Sequence, residues 1–191
     1  MTAVVWNDDN NGGGDNNYQI AYSLFNSTTM QSFMVNFGSQ QRQTEFPATA
    51  ALNDRFVLVY SRDDIFLSVI YEVRFTIITY TGTVIAEDTK VLSNSADMRY
   101  ADVAPLPTGH FVVSWEHNPQ LLDLLGILVL LNQFDVRVRV FNPDGTAASN
   151  SFAVTSDTIS YKPRIAALDN GRFISTWYRQ GRIYARLLAF T

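Results

Sequence analysis

One strand recurs four times along this chain, and that repetition constrains the fold more than any other feature. Val4-Val5-Trp6, Phe56-Val57-Leu58-Val59-Tyr60, Phe111-Val112-Val113-Ser114-Trp115 and Phe173-Ile174-Ser175-Thr176-Trp177 each run into a large aromatic residue. Apolar, β-branched and aromatic runs of this length favour strands. The copies lie roughly 55 residues apart, a period that signals propellers or stacked arrays.

The flanks repeat as well. Pro47 to Asp54, Val103 to Gly109 and Pro163 to Gly171 precede the second, third and fourth copies. The endings Pro107-Thr108-Gly109 and Asp169-Asn170-Gly171 are tight-turn chemistry, because glycine tolerates positive φ. Behind each copy comes a second strand: Ile20 to Phe25, Val73 to Ile78, Val136 to Phe141 and Ile183 to Leu188. The third of these alternates apolar residues with arginine, the period of a half-buried strand, and runs into the turn Asn142-Pro143-Asp144-Gly145. Phe33-Met34-Val35, Lys90-Val91-Leu92 and Phe152-Ala153-Val154 supply a further strand per unit.

Four short antiparallel strands per unit make a propeller-like, all-β architecture. We label the strands of a unit a, b, c and d. Residues 1–191 then form one repeat array, with units near 1–46, 47–101, 102–162 and 163–191. The array starts at b and stops at c, which amounts to three and a half blades and leaves two explanations: a piece of a longer chain, or two copies that pair to complete a ring.

The order Pro-x-Ile-Ala-Ala-Leu-Asp-Asn-Gly-x-Phe-x-x-x-Trp, followed by Ile-Tyr-Ala-Arg, resembles a repeat of large secreted or surface proteins of bacteria and ciliates. The likeness is strongest at residues 163–186 and 103–115 and weak in residues 1–46; Tyr60 replaces the tryptophan in the second copy. That repeat often accompanies calcium-binding adhesin-type segments. The resemblance implies a propeller-like fold, an extracellular or cell-surface location and a structural or binding role without catalytic residues.

Composition narrows the function classes. Lysine and arginine number 14 against 18 acidic residues, and no basic stripe is present, which excludes nucleic acid as the main partner. With no cysteine, neither disulfides nor thiolate-metal sites can form. The opening residues Met1 to Asp8 lack the features of a signal peptide.

Individual sites carry weaker expectations. Asp8, Asp9 and Asp15 sit in an oxygen-rich, glycine-containing stretch that fits either a polar hairpin loop or a calcium site; no other cofactor is expected. His110 and His117 lack a second histidine at metal spacing, and His117 is expected in a loop beside Glu116. Asp63 and Asp64 are expected in a polar turn. Trp6, Tyr60, Trp115 and Trp177 are expected in blade-to-blade core rather than on a sugar platform.

The apolar insertion of Leu121, Leu122, Leu124, Leu125, Ile127, Leu128 and Leu130 lies between strands b and c of the third unit. The matching segment of the second unit holds Ile65, Phe66 and Leu67. These segments are either longer strands or one exposed patch, hence an interface, with membrane contact the weaker reading. No nucleophile elbow, P-loop or zinc signature appears. The sequence therefore points first to a non-enzymatic scaffold that associates with itself or a larger surface assembly. A glycan-binding, lectin-like propeller comes second and a propeller glycosidase third.

Overall fold

The computed structural model describes residues 1–9, 18–25, 30–34, 44–64, 67–93, 97–118, 121–124, 127–130, 133–155 and 159–190; the side chains of 8, 9, 18, 19, 30–34, 64, 67–69, 121–124 and 127–130 are excepted. Every regular element among them is a β-strand, and every strand pair is antiparallel.

Blade 1 pairs β1 (Thr2–Asp9), β2 (Tyr18–Phe25) and β3 (Met30–Met34) in that order. Blade 2 follows as β4 (Thr44–Ala51), β5 (Arg55–Asp64), β6 (Leu67–Thr79) and β7 (Val84–Lys90). Next come β8 (Asp97–Pro105), β9 (Phe111–Asn118), the hairpin strands β10 (Leu121–Leu124) and β11 (Ile127–Leu130), β12 (Asp135–Phe141) and β13 (Phe152–Ala153). Of these, β8, β9, β12 and β13 form blade 3, while β10 and β11 form a separate two-stranded sheet. Blade 4 is β14 (Tyr161–Ala167), β15 (Arg172–Arg179) and β16 (Arg182–Ala189). The chain is an all-β propeller of antiparallel four-stranded units, entered at strand b and left at strand c, about three and a half blades.

Alternation of side chains along each strand builds the core as a series of seams between blades. Blade 1 gives Ile20, Tyr22 and Leu24 to its seam, and blade 2 answers with Phe56, Leu58, Tyr60 and Ile78. The other face of blade 2 gives Val57, Val59, Val73, Phe75 and Ile77, met by Phe111, Val113, Trp115 and Phe141 of blade 3. Val112, Val136, Val138 and Val140 of blade 3 then meet Ile165 and Phe173 of blade 4. Each blade thus has a leading face, carrying the motif's terminal aromatic, and a trailing face. Gly145 lies in the Asn142–Thr146 turn with φ +90, and a Cβ there would sit 3.1–3.2 Å from Phe75, Ala86 and Ile77. A close approach in a left-handed conformation requires glycine.

The a strands lie innermost; β8 packs beside both β4 and β14. Each carries a bulge at the same place, between Glu45 and Ala48, Arg99 and Asp102, and Tyr161 and Arg164. Each bulge contains one non-glycine residue in the left-handed region: Phe46 (φ 56), Tyr100 (φ 50) and Lys162 (φ 51). Bulges re-aim side chains and recur next to functional sites.

Several local expectations change. Asp63 and Asp64 belong to β5, not to a turn, because β5 and β6 run on together to Asp64 opposite Leu67. Of the segment from Ile65 to Ile70, the described residues from Leu67 onward belong to β6. His117 lies in β9, fully buried opposite Asp135, rather than in a loop.

Candidate active-site cleft between blades 3 and 4

The b strands end and the a strands begin at the same end of the blades. There, a cleft of about 710 Å³ opens between blades 3 and 4. Asp97, Arg99 and Tyr100 of β8 and Glu116 of β9 line one wall; Tyr161, Lys162, Trp177 and Tyr178 line the other. The hairpin β10–β11 joins β9 to β12 at this end of the sheet.

Two carboxyl groups face the cleft. Glu116 directly follows the buried Trp115, so alternation along β9 turns it to the trailing face, towards blade 4. Its Oε1 accepts the Lys162 backbone N–H at 2.5 Å, satisfying the donor that the β14 bulge takes out of the ladder. Burial pushes the Glu116 carboxyl up to about 7. The N–H of Lys162 and the charge of Arg99 pull against that rise, and Asp97 adds to it.

Asp97 is fully buried at the start of β8. Its Oδ1 accepts Nε of Arg99 at 2.9 Å and the backbone N–H of Tyr71 at 3.0 Å. Its Oδ2 is buried with no hydrogen-bond partner among the described residues. The Arg99 guanidinium lies 4.6 Å from the centre of the Tyr71 ring, which holds it in place. A carboxyl that keeps its proton near neutrality, beside a second carboxyl fixed by an arginine, is the arrangement for acid–base work on one bond.

The aromatic lining suits a ligand with apolar faces and polar edges. The rings of Phe134 and Tyr161 lie 5.9 Å apart at the blade junction. Trp177 is half-buried, packs against the blade 3–4 core and stacks on Tyr184 at 6.1 Å while lining the cleft. Tyr60 and Trp115 are fully buried, and Trp6 is half-buried. Among the four motif aromatics, Trp177 is therefore the one in reach of a ligand here.

His117 points away from Glu116 on β9, and its Nδ1 lies 3.0 Å from Asp135 Oδ1. It does not line the cleft. Among the described residues no group of three or more His, Asp or Glu could hold a metal ion. The calcium candidates Asp8, Asp9 and Asp15 lie outside the described residues, save that the backbone of Asp8 and Asp9 belongs to β1. Likewise Leu125, Ile65 and Phe66 lie outside them, and of Leu67, Leu121, Leu122, Leu124, Ile127, Leu128 and Leu130 the backbone alone is described, as strand.

No protein-family model matches the chain, and no curated protein matches it in sequence. Solved structures do. The fold is a β-propeller shared with arabinanases. The α-L-arabinanase of Penicillium chrysogenum complexed with arabinobiose superposes with a TM-score of 0.58 at 13% identity, over 88% of this chain and 52% of that one. The endo-arabinase of Bacteroides thetaiotaomicron gives 0.56 at 13%, over 97% and 69%. A Dyadobacter fermentans protein of unknown function gives 0.61 at 12%, over 99% and 50%. This chain spans about half the length of the Penicillium and Dyadobacter proteins.

These likenesses correct the expectation that the chain is not an enzyme. The scaffold it adopts is an enzyme fold, and the non-enzymatic scaffold reading loses its support. Sequence reasoning passed over Glu116 and Asp97. The signal was present: Glu116 stands where the sister units have Asn7, Ser61 and Tyr178, a lone acid at a strand end.

Proposed function

We propose that this chain carries a glycoside hydrolase site for α-linked arabinose-type glycans, located in the cleft between blades 3 and 4. The observation that carries the reading is the buried Glu116, held protonated to about pH 7, sharing one cleft with Asp97. Glu116 serves as general acid, protonating the glycosidic oxygen as the bond to the anomeric carbon breaks. Asp97, which lines the same cleft, serves as the second carboxylate, acting either on water or directly. Arg99 and Lys162 hydrogen-bond sugar hydroxyls, and Trp177 and Tyr178 pack against ring faces. A polymeric glycan substrate suits a secreted or surface-exposed protein.

The experiment is hydrolysis of linear arabinan and of a chromogenic α-L-arabinofuranoside. Activity that falls at least about 100-fold in both Glu116→Gln and Asp97→Asn, with each variant still folded by circular dichroism, supports the reading. Activity indifferent to both changes sinks it. A second reading, glycan binding without cleavage, draws on the partly exposed Trp177 in the cleft. It wins if arabino-oligosaccharides bind, Trp177→Ala abolishes binding and no product forms.

A further inference from the structure

The repeat register allows each blade to be compared with the next, position by position. Val73, Val136 and Ile183 are equivalent, as are Ile77, Val140 and Leu187; each triplet occupies one position of the c strand. In blades 2 and 3 these residues are fully buried in the seam with the following blade. In blade 4, Ile183 is 73% exposed and Leu187 57% exposed. Leu52, Leu106 and Leu168 repeat the pattern: the first two are buried and Leu168 is 40% exposed. The trailing face of blade 4 therefore has the apolar side chains of a seam and, among the described residues, no blade against it.

The complementary surface exists on the same chain. In blades 2 and 3 the leading face carries Leu58 and Val113, both fully buried. Their equivalent in blade 1 is Val4, which is 47% exposed, beside the half-buried Trp6. We propose that the trailing face of blade 4 docks head-to-tail on the leading face of blade 1 of a second copy of this chain, repeating the internal seam between molecules.

Two observations favour a second copy over an unrelated partner. The two exposed faces are the matching halves of one contact that the chain already makes three times. Head-to-tail contacts between identical chains close into rings when the rotation allows it.

Sedimentation and native mass spectrometry of the chain test this directly. A species of twice the chain mass is expected at micromolar concentration. Leu168→Arg combined with Leu187→Asp is expected to raise the dissociation constant about 100-fold or more, equivalent to two factors of ten in affinity. Both side chains are exposed, so circular dichroism and melting of the monomer should stay normal. Val4→Arg, on the other face, is expected to do the same. Mixing the blade 4 variant with the Val4→Arg variant leaves one intact contact per pair and restores a mixed dimer. A wild-type chain that stays monomeric at all concentrations overturns the proposal. So does a dimer that survives either variant. Glycan hydrolysis does not enter the readout, so this inference and the proposed activity fail independently.

Discussion

Glu116 of blade 3 accepts the backbone N–H of Lys162 in blade 4, so a single carboxyl both closes the seam between two blades and faces the cleft. The two roles are separable by pH and by amide substitution.

The pH dependence of stability has a definite sign. Glu116 titrates near 7 in the folded chain against an ordinary value of 4.5. Between those values the folded state holds a proton that the unfolded state has released. The contribution is therefore fully present below pH 4.5 and is lost as pH rises through about 7. Wild-type melting temperature, compared with that of Glu116→Gln, should decline from pH 5 towards pH 8. A parallel pair of curves would show that Glu116 titrates normally.

Catalytic rate should follow the same group from the other side. With Glu116 as the acid, kcat falls above about pH 7 as its proton leaves. Moving Arg99 to methionine removes a cation that favours the ionised carboxyl, so the alkaline limb should shift to higher pH. A pH–rate profile of the two proteins decides it.

The two tryptophans should behave differently. Trp115 is fully buried between blades 2 and 3, and Trp115→Ala should cost about 3–5 kcal/mol by chemical denaturation. Trp177 is half-buried at the cleft, so Trp177→Ala should cost markedly less stability while weakening oligosaccharide binding. Equal losses of stability in both would remove the case for Trp177 as a ligand platform.

Blade 2 holds a charge network on its leading side. Arg74 donates through Nε and Nη2 to Glu72 Oε2 at 2.9 and 2.8 Å and through Nη1 to Asp88 Oδ2 at 3.0 Å. Arg62 also pairs with Asp88, and Lys90 with Glu72. Burial raises the Glu72 carboxyl, but hydrogen bonds from Lys90 and Arg74 bring it below its ordinary value. Removing one cation leaves a buried acid short of a partner, so Arg74→Met should cost about 3 kcal/mol. Urea unfolding of this variant provides the check.

Gly145→Ala tests the seam from the backbone side. The added methyl meets Phe75 and Ile77 across the blade 2–3 seam in a left-handed conformation that alanine disfavours. A loss of about 1–3 kcal/mol is expected. Gly109→Ala provides the control: its Cβ meets nothing within 4 Å, so it carries the backbone cost alone.

What the sequence disclosed follows from what repeats. Strands b and c were legible because Phe111 to Trp115 and Val136 to Phe141 obey one period and end in turns with strong residue preferences. The a-strand bulges were not, because Phe46, Tyr100 and Lys162 carry no turn signature yet adopt positive φ. The cleft was hidden for a related reason. Asp97 and Glu116 face one cavity through the pairing of β8 with β9 and the shift of register beside it, neither of which composition reveals.

Those bulges also separate the rim of an a strand from the wall below it. Below the bulge, register-equivalent positions hold Ala50, Ala104 and Ala166, one residue type throughout. Above it, equivalent positions hold Glu45, Arg99 and Tyr161: an acid, a base and a phenol. The extra residue breaks the parity of the strand, so the mouth no longer inherits the inward–outward alternation of the wall. Each blade therefore carries its own chemistry at the rim of its a strand.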